Sequence, residues 1–221
     1  MFVKLIHPKP AGCIFFLSVA VLVSVAADAT KTVSLSSLPA SVQKAVQTQV
    51  GDGKLGEIQR IEDEGEVSFE VTVSQGEMER SFNLGAAGTL LSMEVELSET
   101  PGVVRKTIEA QAGESKLGDI FKTFEDGEIF YDVQMTRNGK DRDFSVAGNG
   151  RLESQEVFLS ELPPPARKMM KEKIGDGKIL RIDEVFEKRE GVFPFEVEGR
   201  KDGKPFNFSV GPKGRFLGLD E

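Results

Sequence analysis

Three carboxylates recur at one place in this sequence. Glu70, Asp132 and Glu196 each stand between two large apolar residues, in Phe69-Glu70-Val71, Tyr131-Asp132-Val133 and Phe195-Glu196-Val197. A second set, Glu94, Glu156 and Asp220, recurs further along the same pattern. Paired carboxylates can act as an acid and a base, or supply some of the about six to eight oxygens that Ca²⁺ takes. The sequence has no EF-hand loop to organise such ligands. Two other roles fit these residues. One is a solvated acidic sheet face that keeps the chain soluble and discourages edge-to-edge pairing. The other is a docking surface for a basic partner.

Other chemistry is scarce. The single histidine, His7, and the single cysteine, Cys13, both fall in the first 29 residues. That stretch reads as a secretory signal peptide, with an uncleaved anchor as the alternative: Lys4 and Lys9, then an apolar run from Ala11 to Ala27, short for a spanning helix, then Ala27-Asp28-Ala29 as a cleavage pattern. Its removal leaves no His or Cys for a nucleophilic triad or a zinc site. Two of 28 basic and one of 36 acidic residues leave with it, so the formal charge moves from −8 to −9. A chain this acidic is a poor binder of nucleic acid, whose affinity rests on Lys and Arg neutralising phosphates. The expected location is periplasmic or secreted, with no membrane contact after cleavage. Gly51-Asp52-Gly53-Lys54 has the glycine-rich, lysine-ended look of a phosphate loop, but it follows a helical pattern instead of preceding one. It reads as a helix stop and a turn.

That stretch also sets the phase of a repeat. It returns as Gly113-Glu114-Ser115-Lys116 and Gly175-Asp176-Gly177-Lys178, and Pro39, Pro101 and Pro163 open each copy 62 residues apart. Each proline starts a helix with one apolar stripe: Val42, Ala45, Val46, Val50; Val104, Thr107, Ile108, Ala112; Ala166, Met169, Met170, Ile174. Proline is expected in the first turn, where its missing N–H costs nothing. Period-2 alternation follows, clearest at Val67, Phe69, Val71 and Val73. Asn138-Gly139 and Asp202-Gly203 mark hairpins. The face assignment of each first strand, around Lys54–Glu62, is ambiguous. The expected fold is α+β: three tandem repeats, each one helix packed on a four-stranded antiparallel sheet, the sheets roughly continuous. The expected spans are 1–29 for the signal peptide and 33–97, 98–159 and 160–221 for the repeats. Pro194 and Pro205 predict irregular or edge strands in the third.

Simple alternation points Leu90, Phe130, Leu152, Phe158 and Phe216 away from the helices. Large exposed aromatics are candidate interface anchors, although such residues also pack between units or under loops. With Glu70, Asp132 and Glu196 they form the candidate partner-binding set.

The unit resembles the PepSY-like repeats, grouped with the β-lactamase-inhibitory-protein-like fold. The matching residues are Leu38-Pro39, Leu162-Pro163, the three aromatic-acidic-Val strands, Gly88-Thr89-Leu90 and Gly150-Arg151-Leu152. The resemblance implies export, a helix over an antiparallel sheet, and binding or inhibition of an extracytoplasmic hydrolase without enzymatic activity. Departures are Thr100-Pro101 in the second unit, three units where the β-lactamase inhibitor has two, and no disulfides. No inhibitory-loop motif carries over. The function expected is an exported, non-enzymatic module that binds an unknown protein, with no cofactor, catalytic residue or metal ligand. The alternative is calcium or small-ligand binding by the acidic columns.

Overall fold

A computed structural model describes residues 30–63, 65–187 and 191–219. The expected signal peptide and Asp220 lie outside the described residues. The described residues form two compact bodies, one up to residue 156 and one from residue 157 onward. The larger holds β1 (Lys31–Thr32), α1 (Ala40–Val50), β2 (Lys54–Asp63), β3 (Glu66–Gln75), β4 (Met78–Gly85), β5 (Leu90–Glu94), α2 (Gly102–Ala112), β6 (Lys116–Glu125), β7 (Glu128–Arg137), β8 (Lys140–Ala147) and β9 (Leu152–Glu156). In the smaller are α3 (Pro164–Ile174), β10 (Lys178–Val185), β11 (Phe195–Lys201), β12 (Lys204–Val210) and β13 (Phe216–Leu219). The fold is α+β, with one helix and four antiparallel strands written three times.

In the larger body the sheet runs unbroken from one repeat into the next. Ser92, Met93 and Glu94 of β5 pair with Thr123, Lys122 and Phe121 of β6. One repeat earlier, Lys31 and Thr32 pair with Arg60 and Gln59 of β2. The strand β1 therefore fills, in two residues, the place that β5 fills beside β6. One backbone bond recurs at the head of each repeat: the N–H groups of Val33, Val95 and Val157 donate to the carbonyls of Ile58, Ile120 and Ile182.

Each helix starts on its proline, which is the N-cap and not the first helical residue. Pro39, Pro101 and Pro163 take extended backbone, and their carbonyls accept from Gln43, Arg105 and Arg167. The proline ring has no hydrogen-bonding group to cap the first turn. The same three residues instead tie the helix to the loop before it: Gln43 Nε2 donates to Leu38 O, and the Arg105 and Arg167 guanidinium groups donate to Thr100 O and Leu162 O. Thr100 fills the buried slot of Leu38 and Leu162, and its hydroxyl donates to Leu97 O. Gly51, Gly113 and Gly175 end the helices at φ 52, 56 and 54, a region that strains other residues.

Three cores lie between helix and sheet. Val42, Val46 and Val50 meet Phe69, Val71, Phe82 and Leu84. Val104 and Ile108 meet Tyr131, Val133, Phe144 and Val146. Ala166, Met170 and Ile174 meet Phe195, Val197, Phe208 and Val210. Val95 and Leu97, which alternation alone continues from Leu91 and Met93, pack on the second core. Gly88, Gly150 and Gly214 hold the turns at positive φ directly under the first helical turn, where a Cβ would sit 2.8, 2.9 and 2.6 Å from a helix carbonyl oxygen. In the third repeat Pro194 precedes β11, and that strand has seven residues where β3 and β7 have ten.

Candidate functional site

Register assigns every strand residue to the helix side or to the open side. Around each β-bulge that assignment departs from simple alternation. In the last strand of each repeat one extra residue interrupts the ladder: Asn83 pairs with Ser92 but Leu84 with Leu90, Ser145 with Ser154 but Val146 with Leu152, and Ser209 with Gly218 but Val210 with Phe216. A bulge sets two residues against one and turns the strand over. Leu90, Leu152 and Phe216, expected on the open side, therefore pack against the helix-side cores. Phe216 lies 6.2 Å from Phe208, and Lys173 Nζ of α3 sits 4.1 Å from its ring centroid. Phe158 is on no strand. It occupies the turn before α3, where its N–H donates to Glu161 Oε2, so alternation assigns it no face.

Phe130 does face the open side, between Thr123 of β6 and Ala147 of β8. Glu70 and Asp132 share that side in the larger body, opposite Asn83 and Ser145. Glu196 holds the equivalent place in the smaller body, between Asp183 and Ser209. Sequence reading missed Phe121 and Ile61, both half-buried on the open side. The bulges at Gly56-Glu57 and Gly118-Asp119 place them there, and these are the reason the first strands are ambiguous by pattern alone.

Charge separates by side in the larger body. Arg60, Arg80, Lys122, Arg137 and Arg142 share the helix side, as their pairing with Phe69, Val73, Tyr131, Lys140 and Met135 shows. Arg137 Nη2 donates to Gln111 O at the end of α2, the favourable place for a cation on a helix. Glu57, Glu70, Glu94, Asp119, Asp132 and Asp143 occupy the open side, while Glu62 pairs with Val67 on the helix side and bridges Arg60. Among the described strand residues of this body, Lys54 and Lys116, at the starts of β2 and β6, are the cations of that side. Burial raises the Glu70 carboxyl above its ordinary value, with Glu57 adding repulsion. The Glu94 carboxyl is also raised, chiefly by burial, although the Ser81 N–H donates to it at 3.0 Å. Asp132 accepts from Thr123 Oγ1 at 2.6 Å.

The smaller body is mixed on the same side. Arg181 stands where Glu57 and Asp119 stand, and its guanidinium bonds Asp183 at 2.5 and 2.8 Å. Burial raises Glu198, with Asp183 adding to the shift and Arg181 opposing it. Among the described residues no group of three or more His, Cys, Asp or Glu side chains gathers as a metal site. No helix there is long and apolar enough to cross a membrane.

No protein-family model matches this sequence. No curated protein matches it either. Solved structures give distant likenesses. A DUF2874 family protein from Bacteroides ovatus is 16% identical, with a TM-score of 0.41 over 54% of this chain and 86% of that one. A BLIP-like protein from Bacteroides fragilis is 12% identical, with a TM-score of 0.40 over 54% of this chain and 84% of that one. A candidate calcium-regulated periplasmic protein from Bacteroides thetaiotaomicron is 14% identical, with a TM-score of 0.37 over 58% and 97%. Likenesses at this distance carry no statement of role.

Proposed function

We propose that this chain is an exported, non-enzymatic protein-binding module whose open sheet side in the larger body receives a basic partner surface. The observation that carries this reading is the sorting of charge by side, with carboxylates set around Phe121, Phe130 and Ile61 and the arginines turned to the helices. Apolar anchors within a complementary charged surround give an interface both energy and orientation. Periplasmic or secreted location follows from reading residues 1–29 as a signal peptide. Within this reading, the PepSY-like resemblance favours an inhibitor or regulator of an extracytoplasmic hydrolase. Calcium is the weaker ligand, because a site of about six to eight oxygens needs more convergence than these spaced carboxylates offer.

The test is charge-dependent capture from an envelope fraction. Glu94→Lys combined with Asp132→Lys should weaken capture of a partner by about tenfold or more. Phe130→Ala should weaken it further by removing an anchor. Lys106→Glu, on the outer surface of α2, should leave capture unchanged. A partner held equally by all these variants would remove the open side from the function.

A further inference from the structure

Within the open side, one carboxylate lacks the arrangement its counterpart has. Asp132 of the second repeat accepts the Thr123 hydroxyl. The first-repeat equivalents, 62 residues earlier, are Glu70 and Ile61, so no hydroxyl reaches Glu70 from that position. Glu70 pairs with Gln59 on β2 and with Asn83 on β4, where Ser145 and Ser209 stand opposite Asp132 and Glu196. Asn83 is only 2% exposed. Its Nδ2 donates to Ser92 Oγ at 2.9 Å, on the β5 side. The planar amide then turns Oδ1 away from β5, and that buried oxygen has no hydrogen-bond partner. A buried polar atom left without a partner carries an uncompensated desolvation cost. Glu57 brings a second carboxylate, itself accepting from Thr32 Oγ1.

We propose that Glu70 and Asn83 Oδ1, with Glu57 behind them, form the seat for one lysine or arginine side chain of the protein partner. The seat offers acceptors and asks for donors. Two or three convergent oxygens suit an ammonium or guanidinium group, which carries three or five N–H donors. They are too few for Ca²⁺. Arginine also brings a planar fork that can bond the carboxylate and the amide oxygen together. Arg60 and Arg80 face the helices, Lys54 lies at the far start of β2, and Gln59, which pairs with Glu70 from β2, carries an uncharged amide. This seat rests on reading the open side as a protein-binding surface, and it names the chemistry of the contact there.

The experiment is an NMR titration of the folded chain with N-acetyl-arginine amide, N-acetyl-lysine amide and, separately, CaCl₂. The Asn83 side-chain amide and the Glu70 carboxyl carbon are observed. Saturable shifts at both with arginine or lysine amide are expected, at about millimolar concentration for so small a contact. Glu70→Gln and Asn83→Ser should each weaken that response by about tenfold. Serine already stands at the two equivalent positions, so Asn83→Ser is expected to fold. A silent titration, with the Asn83 amide protons found bonded to the Glu70 carboxylate, overturns the seat. So does a response to CaCl₂ alone. The capture test with Glu94→Lys and Asp132→Lys leaves Glu70 and Asn83 in place, so the face can bind a partner even where this seat fails.

Discussion

The two bodies share a plan on the helix side and differ on the open side. Residues 30–156 carry 13 Lys and Arg against 23 Asp and Glu; residues 157–221 carry 13 against 12. Yet the buried stripe on each helix is set at the same spacing, and each glycine turn lies under its helix in the same way. Packing tolerates little change, because interiors are filled as densely as crystals. The open side meets no helix, so its residues are free to diverge in charge. In the larger body they converged on carboxylates, and in the smaller an Arg181–Asp183 pair balances part of them. A difference of surface on a common core is what a change of partner, not a change of fold, would leave behind.

The largest expected effect tests the common core. Phe144→Ala and Phe208→Ala stand at equivalent places, 1% and 3% exposed. Each should cost about 3–5 kcal/mol in chemical denaturation, since a ring-sized cavity opens under a helix. A much smaller loss for one would show that its core closes around the gap and that the plan is not shared. Next come the turn glycines. Gly150→Ala and Gly214→Ala place a Cβ against Val103 O and Pro165 O at positive φ, and each should cost about 2 kcal/mol or more.

This much of the fold was legible in the sequence, because helix stripes, glycine stops and a 62-residue phase are local signals. The open side was less legible. Leu90, Leu152 and Phe216 read as outward only while the ladder is regular, and one bulged residue reverses them. Nothing in Leu90-Leu91 marks which leucine is the extra one. Phe121 and Ile61 were hidden for the same reason, behind the bulges that begin β2 and β6. Glu70 and Asp132 were found because β3 and β7 are unbroken in register with β4 and β8.

Grafting one body's chemistry onto the other sharpens the contrast directly. Glu57→Arg writes the smaller body's Arg181 into the first repeat. The Glu70 carboxyl should then fall toward its ordinary value, because Glu57 is part of what raises it. Partner affinity should drop by about tenfold, as a cation now occupies the acidic side. Carboxyl titration by NMR and the capture assay read the two outcomes.

The smallest effect is on stability against pH. Glu70 holds its proton more tightly when folded, so it favours the folded state most at low pH. That contribution fades as pH rises from the ordinary value of 4.5 through the higher folded one. Glu70→Gln should therefore flatten the loss of stability over that window and leave the chain slightly more stable at neutral pH. Glu99 runs the other way. The Glu96 N–H and Arg80 lower its carboxyl, so its contribution is present above the ordinary value and lost as pH falls.

The strand Lys31–Thr32 has a consequence out of proportion to its length. β6 takes its outer partner from β5 of the preceding repeat, whereas β2 takes its outer partner from these two residues. Together with the Val33 bond to Ile58 they close the outer ladder in the middle of β2. Strand addition from another molecule at the middle of β2 would first have to displace these two residues.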